Sequence, residues 1–448
     1  MNNNLNTEGD INLSPLRKNW KNKNIDRSTE KILNEDEKYF LHQSLSTPCL
    51  NVLKSAEGIY INDIQGNKIM DFHGNNVHQL GYKNESIIKA IKKEIDILPF
   101  SPRRYTNLKS IKLAKRLAEL APGDLNKVLF APGGSEAVSM ALKLARKVTG
   151  KFKVISLWDS FHGATLDAIS VGGEAVFKKG MGPMLTGTEH ILAVNNYRCI
   201  FGECSSCGLK CLDHFDYVLD KSPDTAAVII ETIRNTDVQL PPKNYFKRVR
   251  EICDKHNVLL ILDEIPIAFG RTAKMFAVEN YGIVPDMLIV GKGLGGGVFP
   301  LSALIADVRL DTADDISLGH FTHEKTPLGA AAGLAVIDYI EEYNILEHTQ
   351  EMHIYMKNKL YALKDKYNII GDIRGIGLLF GVELVKDRES REKAESEAEK
   401  VMYYALENGL NFKISKGNVL SLSPPLIINK KQIDKAISII DNAFKRLE

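Results

Sequence analysis

Short apolar runs separated by helical or loop stretches organise the middle of the chain. They fall at 128–131, 154–158, 191–194, 227–230, 258–262, 287–290 and 301–306. Most lack polar alternation, as expected for strands buried on both faces. Helices are predicted near 85–97 and 110–120, the second stopped by Pro122-Gly123. Strand–helix alternation of this kind argues for an α/β fold with a seven-stranded, mostly parallel sheet covered on both faces. Upstream, 52–72 reads as short strands around the turn Gln65-Gly66-Asn67. Residues 1 to about 45 read as a loosely held polar arm ending in a helix over 35–43. Downstream, a helix over 330–343, the strand-like GIGLLFGVELV, and helices near 391–407 and 431–447 form a smaller α+β lobe. The expected division is an N-terminal arm with small strands over 1–75, a large domain over 76–330 and a C-terminal domain over 331–448. No internal repeat or low-complexity linker interrupts it.

The stretch VLLILDEIPIAFGRTAKMFAVENYGIVPDMLIVGKGLGGG (258–297) carries the chemistry. One buried run delivers Asp263-Glu264, and the next delivers Lys292 inside a glycine cluster. Pyridoxal phosphate (PLP) needs an anion to keep its ring nitrogen protonated and a lysine to hold its aldehyde covalently. Taken singly, the pair reads equally as a helix-capping Asp and a solvated Lys. LFAPGGSEAVSMALKLAR (129–146) is a strand, a glycine turn and an amphipathic helix, whose free N–H groups make an anion site.

These motifs, in this order, resemble the class III aminotransferases, PLP enzymes of fold type I. The resemblance runs from about residue 50 to the C-terminus. It implies that Asp263 pairs with the pyridine ring, that Lys292 binds the cofactor aldehyde, and that Gly134 and Ser135 hold its phosphate. SFHGATLDAIS (160–170) resembles Y/F-H-G-x-T, which implies that Phe161 stacks on the ring with His162 beside it. ETIRN (231–235) keeps Glu231 of E-P-x-Q-G but departs at Thr232 and Arg234, and Arg234 is a spare cation there. Ile265 keeps the apolar residue that packs on the ring, whereas Pro266 replaces a Gln that would bond its 3-hydroxyl. In GHFTHEKTPLGAAAGLA (319–335), Thr322 matches the residue that reaches the cofactor phosphate of a partner subunit. The resemblance thus implies a homodimer with shared active sites. DIRGIGLLFGVEL (372–384) matches R-G-x-G with Arg374, which reads equally as a structural ion-pair residue.

The departures bear on substrate. Many family members carry a carboxylate-binding Arg just before P-P-L, but here GNVLSLSPPLII (417–428) has Ser421 and Leu422. An amino-acid substrate in the usual pose is disfavoured. Asn76, in a polar stretch with His73, Asn75 and His78, and the pair Arg103-Arg104 add donors and cations that suit a phosphonate or phosphate plus a hydroxyl. The same residues read equally as turn chemistry and a solvated pair. FHGNNVHQLG, RRYTN, Thr322-His323-Glu324-Lys325 and the Cys segment together resemble a subgroup that eliminates ammonia from 1-hydroxy-2-aminoethylphosphonate. The candidate substrate residues are therefore Asn76, Arg103, Arg104, Arg234 and Arg374. Transamination of an ω-amine or amino acid with a 2-oxo acid is the alternative.

Four of six cysteines lie in CIFGECSSCGLKC: Cys199, Cys204, Cys207 and Cys211. They suit structural zinc, an iron–sulfur cluster or a loop of reduced thiols. With 58 basic and 56 acidic residues, the charge implies no nucleic-acid partner. No run approaches a membrane span, and MNNNLNTEGDINLSPL lacks the layout of a secretory signal, so a cytoplasmic enzyme is expected.

Overall fold

The computed structural model describes residues 14–43, 49–202 and 206–447. The chain forms two units. One comprises Met1–Asn84, Thr236–Val238 and Glu347–Glu448, and the other Glu85–Asn235 and Gln239–Leu346.

The second unit is built on a seven-stranded sheet. From edge to edge its strands are Leu125–Ala131, Ser302–Asp307, Met287–Val290, Leu259–Asp263, Thr225–Glu231, Lys153–Leu157 and Thr188–Ile191. Ser302–Asp307 runs antiparallel to both its neighbours, and the other pairings are parallel. Thr225–Glu231, Leu259–Asp263 and Met287–Val290 are buried at every position, which is why their sequences run apolar without alternation. The apolar run at 191–194 misplaces its strand. The edge strand is Thr188–Ile191, fixed by pairing Val154 with Thr188 and Leu157 with Ile191.

Helix Gly134–Thr149 turns Ala137, Val138, Met140, Ala141 and Leu144 into a core shared with Ile229, Ile261, Ile289 and Leu304. It ends at Gly150, whose φ of 66° closes the last turn. Helix Pro327–Glu342 starts where the Thr326 side chain accepts the Gly329 N–H. It packs on helices Glu85–Ile95 and Leu108–Leu120, so it belongs to this unit. The unit's limits therefore fall at Glu85 and Leu346, against the expected 76 and 330.

In the other unit, Leu410–Asn411 pairs in parallel with Lys68–Asp71, joining a C-terminal strand to the N-terminal hairpins. Over the described residues 14–43 the polar arm holds more helix than expected. Helices Pro15–Asn24 and Arg27–Tyr39 replace the single helix at 35–43, capped by Ser14 accepting the Arg17 N–H and Asp26 accepting the Thr29 N–H. Trp20 anchors the first, buried in a cluster with Tyr403 and Leu406. Among the described residues, no helix is long and apolar enough to cross a membrane.

Candidate active site

Polar side chains collect where the parallel strands end and turns begin, the usual place for a site in such sheets. Strand pairing sets Glu231 opposite Asp263 in register, so two buried acidic residues end neighbouring strands. Asp263 Oδ1 accepts the Ile265 N–H at 3.0 Å. Its Oδ2 lies 2.8 Å from His162 Nδ1, and both side chains are essentially inaccessible. Behind the imidazole, Nε2 is 3.2 Å from Ser156 Oγ, which is 3.1 Å from Ser160 Oγ.

Glu231 fixes the loop that carries the aromatic. Its Oε1 accepts the Phe161 N–H at 2.8 Å and its Oε2 the Asn235 N–H at 3.0 Å. Burial pushes its carboxyl up to about 7, against the pull of His162 and of these N–H donors. The half-buried Phe161 ring packs on Phe177, with centroids 4.7 Å apart. Glu264 serves a separate structural cluster, accepting from Thr232 Oγ1, Ala277 N and Val278 N. Burial raises it to about 7 as well.

Lys292 opens a short turn after Met287–Val290 with a left-handed φ of 45°. Its neighbour Gly291 packs closely: an added Cβ would stand 2.4 Å from Ser302 Oγ and 3.3 Å from Ile265 Cγ2. Ile265 also meets the first turn of helix Gly134–Thr149, where a Cβ on Gly134 would lie 2.8 Å from Ile265 Cδ1. Ser135 Oγ accepts the Ala164 N–H at 3.1 Å and leaves no room for a Cβ on Gly163, whose φ is 126°. Gly134, Ser135, Phe161, His162, Glu231, Asp263, Ile265 and the backbone beside Lys292 are thus linked by direct contacts.

The other expected residues differ in setting. Arg234 is 7% exposed, lies 4.0 Å from Asp159, and lines a small cavity with Glu231, Ser160 and Tyr245. Arg103, Arg104 and Thr322 are exposed. Asn76 and Arg374 belong to the other unit. Asn76 is buried at the end of the left-handed turn Gly74–Asn76. Arg374 is engaged by protein: Nη1 reaches Asp372 and Glu383 at 2.8 Å, while Nε and Nη2 donate to the Asp237 and Val238 carbonyls. Ser421, where an Arg was sought, is a buried hydroxyl donating to the Thr236 carbonyl at 3.0 Å. Ser156 and Ser160 escaped the sequence reading. The signal was a hydroxyl residue inside the apolar run VISLW.

Cys199 is half-buried, Cys207 and Cys211 are buried, and none of the three is in a disulfide. Cys204 lies outside the described residues. Among the described residues, no group of three or more His, Cys, Asp or Glu could hold a metal ion. Of the alternatives for this segment, zinc or an iron–sulfur cluster has no support among the described residues.

Residues 42–444 match the family model described as aminotransferase class-III. The chain belongs to the class III aminotransferases. It is 49% identical, over 98% of its length and 95% of the relative's, to an (R)-1-hydroxy-2-aminoethylphosphonate ammonia-lyase of Vibrio splendidus (strain 12B01). It is 35% identical to a leucine/methionine racemase of Thermococcus litoralis, covering 94% and 96% of the two chains. A taurine:2-oxoglutarate aminotransferase from Bifidobacterium kashiwanohense, solved with PLP and glutamate, superposes with a TM-score of 0.87 at 29% identity, covering 94% of this chain and 98% of that one. This class III chain is therefore a PLP-dependent enzyme of the lyase and aminotransferase group. Its donor set fits the cofactor: a buried carboxylate, a lysine one strand away, and a helix N-terminus opening on Gly134-Ser135.

Proposed function

We propose that this enzyme eliminates ammonia from a small primary amine carrying a neighbouring hydroxyl and a phosphonate, namely 1-hydroxy-2-aminoethylphosphonate, to give the aldehyde phosphonate. The likeness to the Vibrio splendidus ammonia-lyase over nearly the whole chain carries this reading. The buried Ser421 supports it, because no guanidinium stands at that position to clamp a substrate carboxylate.

In this reading, Lys292 would hold the cofactor aldehyde, Asp263 would pair with the ring nitrogen, Phe161 and Ile265 would restrain the ring, and Gly134 and Ser135 would hold the phosphate. Pyridoxal phosphate, when bound, supplies a protonated heterocycle that draws electron density from the carbon next to the amine. Lys292 Nζ would be the base that takes the proton from that carbon. The hydroxyl on the adjacent carbon would leave as water with the proton held on Lys292 Nζ, and one water added across the product's carbon–nitrogen double bond would release the aldehyde and ammonia. No oxidant or 2-oxo acid is consumed. Glu231, bonded to the Phe161 backbone, keeps the stacking ring in place. Arg234 is the best placed of the expected cations to meet a phosphonate, being buried beside Glu231. Arg103 and Arg104 are exposed, and the partners of Arg374 favour a structural role for it. Thr322 would reach the cofactor phosphate of a second copy, in a homodimer with shared sites. Reduced cysteines suit a cytoplasmic setting.

The second reading is transamination, favoured by the solved aminotransferases that share the fold. Holoenzyme mixed with the hydroxy-aminophosphonate and no keto acid separates the two. Continuous ammonia release is expected. A single stoichiometric conversion of the cofactor to its amine form, with turnover only after a 2-oxo acid is added, would overturn the elimination reading.

A further inference from the structure

We propose that Arg103 and Arg104 work across a dimer: the two guanidiniums of one copy bind the substrate phosphonate held in the active site of the other. This rests on the phosphonate reading and the homodimer proposed above, and it makes each site incomplete without a second copy.

The turn that carries the pair is built into the fold. The Tyr105 N–H donates to the Pro102 carbonyl at 2.8 Å, which leaves Arg103 and Arg104 as the two central residues of a β-turn. Buried Ser101 donates to the Tyr105 carbonyl at 3.4 Å. Both flanks of the turn are fastened to the segment that carries Thr322. Before it, the Phe100 ring meets His323 edge-on, with centroids 5.2 Å apart. After it, buried Asn107 donates through Nδ2 to the Lys325 carbonyl at 2.9 Å, and Ser110 Oγ donates to the same carbonyl at 3.2 Å. Asn107 Oδ1 also accepts the Ser110 N–H at 2.8 Å and so caps helix Leu108–Leu120. Arg103, Arg104 and Thr322 are all exposed, and these ties set them on one stretch of surface.

Thr322 is the residue that would reach the cofactor phosphate of a second copy. Cations held beside it are carried toward the same site, and an arginine side chain is several bonds longer than that of threonine. Charge points the same way. A phosphonate, like a phosphate monoester, carries about two negative charges near neutral pH. In the substrate's own chain, Arg234 already faces the Asp159 carboxylate at 4.0 Å, Arg374 is engaged by Asp372 and Glu383, and Ser421 offers a hydroxyl in place of a guanidinium. Among the described residues, neither Arg103 nor Arg104 is in an ion pair. Their planar forks suit an oxyanion with several acceptor oxygens. Ile97, Tyr105 and Leu108, exposed by 64%, 67% and 75%, surround the pair with apolar surface of the kind that a second copy covers. In a two-fold dimer each copy gives the other what it receives.

The test combines two damaged copies and reads binding as well as turnover. 2-Aminoethylphosphonate, which lacks the hydroxyl that leaves, is titrated against holoenzyme and followed by the bound cofactor's absorbance, with ethylamine as the probe without a phosphonate. Arg103→Ala/Arg104→Ala is expected to weaken 2-aminoethylphosphonate about tenfold to a hundredfold and to leave ethylamine unchanged. Its KM for the hydroxy-aminophosphonate should rise with little change in kcat. Hybrid dimers are then assembled from this variant and Lys292→Ala, each with its own affinity tag. The cofactor colour in this hybrid comes from the chain without the arginines, whose site faces the intact arginines of the Lys292→Ala copy, so wild-type affinity should return. In the reverse hybrid, wild type paired with a chain carrying all three substitutions, affinity should stay weak. Should the double variant not fold, Arg103→Gln and Arg104→Gln taken singly replace it in the same hybrids. A first hybrid that stays weak overturns the proposal, and so does a wild-type holoenzyme that is monomeric by light scattering. Wild type that does not prefer 2-aminoethylphosphonate to ethylamine overturns the phosphonate reading and this proposal with it; a preference that survives loss of both arginines overturns this proposal alone.

Discussion

Lys292 adopts a left-handed backbone conformation that costs a non-glycine residue roughly 1 kcal/mol or more. The close packing of Gly291 against Ser302 and Ile265 holds it there. On the proposed assignment, Lys292→Ala gives a folded protein without the yellow cofactor colour and without turnover, checked by absorbance and ammonia assay. Asp263→Asn should bind cofactor but lower kcat by about a hundredfold to a thousandfold, since it removes a charge from a water-poor site. Glu264 makes a separate, pH-linked prediction. Its ordinary value is 4.5, and burial raises it to about 7 in the folded chain. The folded state therefore binds more protons between those values, so its contribution is fully present below about 4.5 and is lost as pH rises through about 7. In denaturant titrations, the stability of Glu264→Gln relative to wild type should rise between pH 5 and pH 8, by up to a few kcal/mol. A difference that does not change with pH contradicts the raised value.

Single glycines decide how the elements meet. An added Cβ on Gly134 would meet Ile265, a flexible side chain, whereas on Gly173 it would meet the backbone of Leu157 and Asp159. Gly134→Ala should therefore cost cofactor affinity more than stability. Gly173→Ala should lower stability by about 1–3 kcal/mol or more, read from the denaturation midpoint. The core strands were legible because each is buried on both faces and so reads as an uninterrupted apolar run. Edge strand Thr188–Ile191 was misplaced because half-buried positions admit Thr, Glu and His. The N-terminal helices were missed because their signals are the caps Ser14 and Asp26 in a polar stretch, while burial of Trp20 depends on residues nearly 400 positions away.

At the scale of the whole chain, residues far apart in sequence assemble each unit. The segment Thr236–Val238 joins the unit formed by the two ends of the chain. Arg374 binds its carbonyls, and Gly381 leaves room for Val238, where a Cβ would lie 3.1 Å away. Because Arg374 is a buried cation with two carboxylates, Arg374→Ala should destabilise the protein by about 3–5 kcal/mol in a denaturant titration. If Arg374 instead serves the substrate, the variant's KM rises while its stability holds. The proposed homodimer predicts a solution mass of twice the chain mass by light scattering.

The sequence by itself determined the α/β class, most of the strands, and the placing of Asp263 and Lys292 at the ends of neighbouring strands. Strand ends and glycine turns are local features, and each leaves its mark within a few residues. Only the tertiary structure decided that Arg374 has carboxylate partners, that Ser421 bonds a distant carbonyl, and that Ser156 stands behind His162. Ser421 meets a carbonyl 185 positions away. Glu383 and His162 lie only 9 and 6 positions from their partners but on a neighbouring strand or beyond a turn, so contact depends on strand pairing and turn geometry that no simple periodicity records.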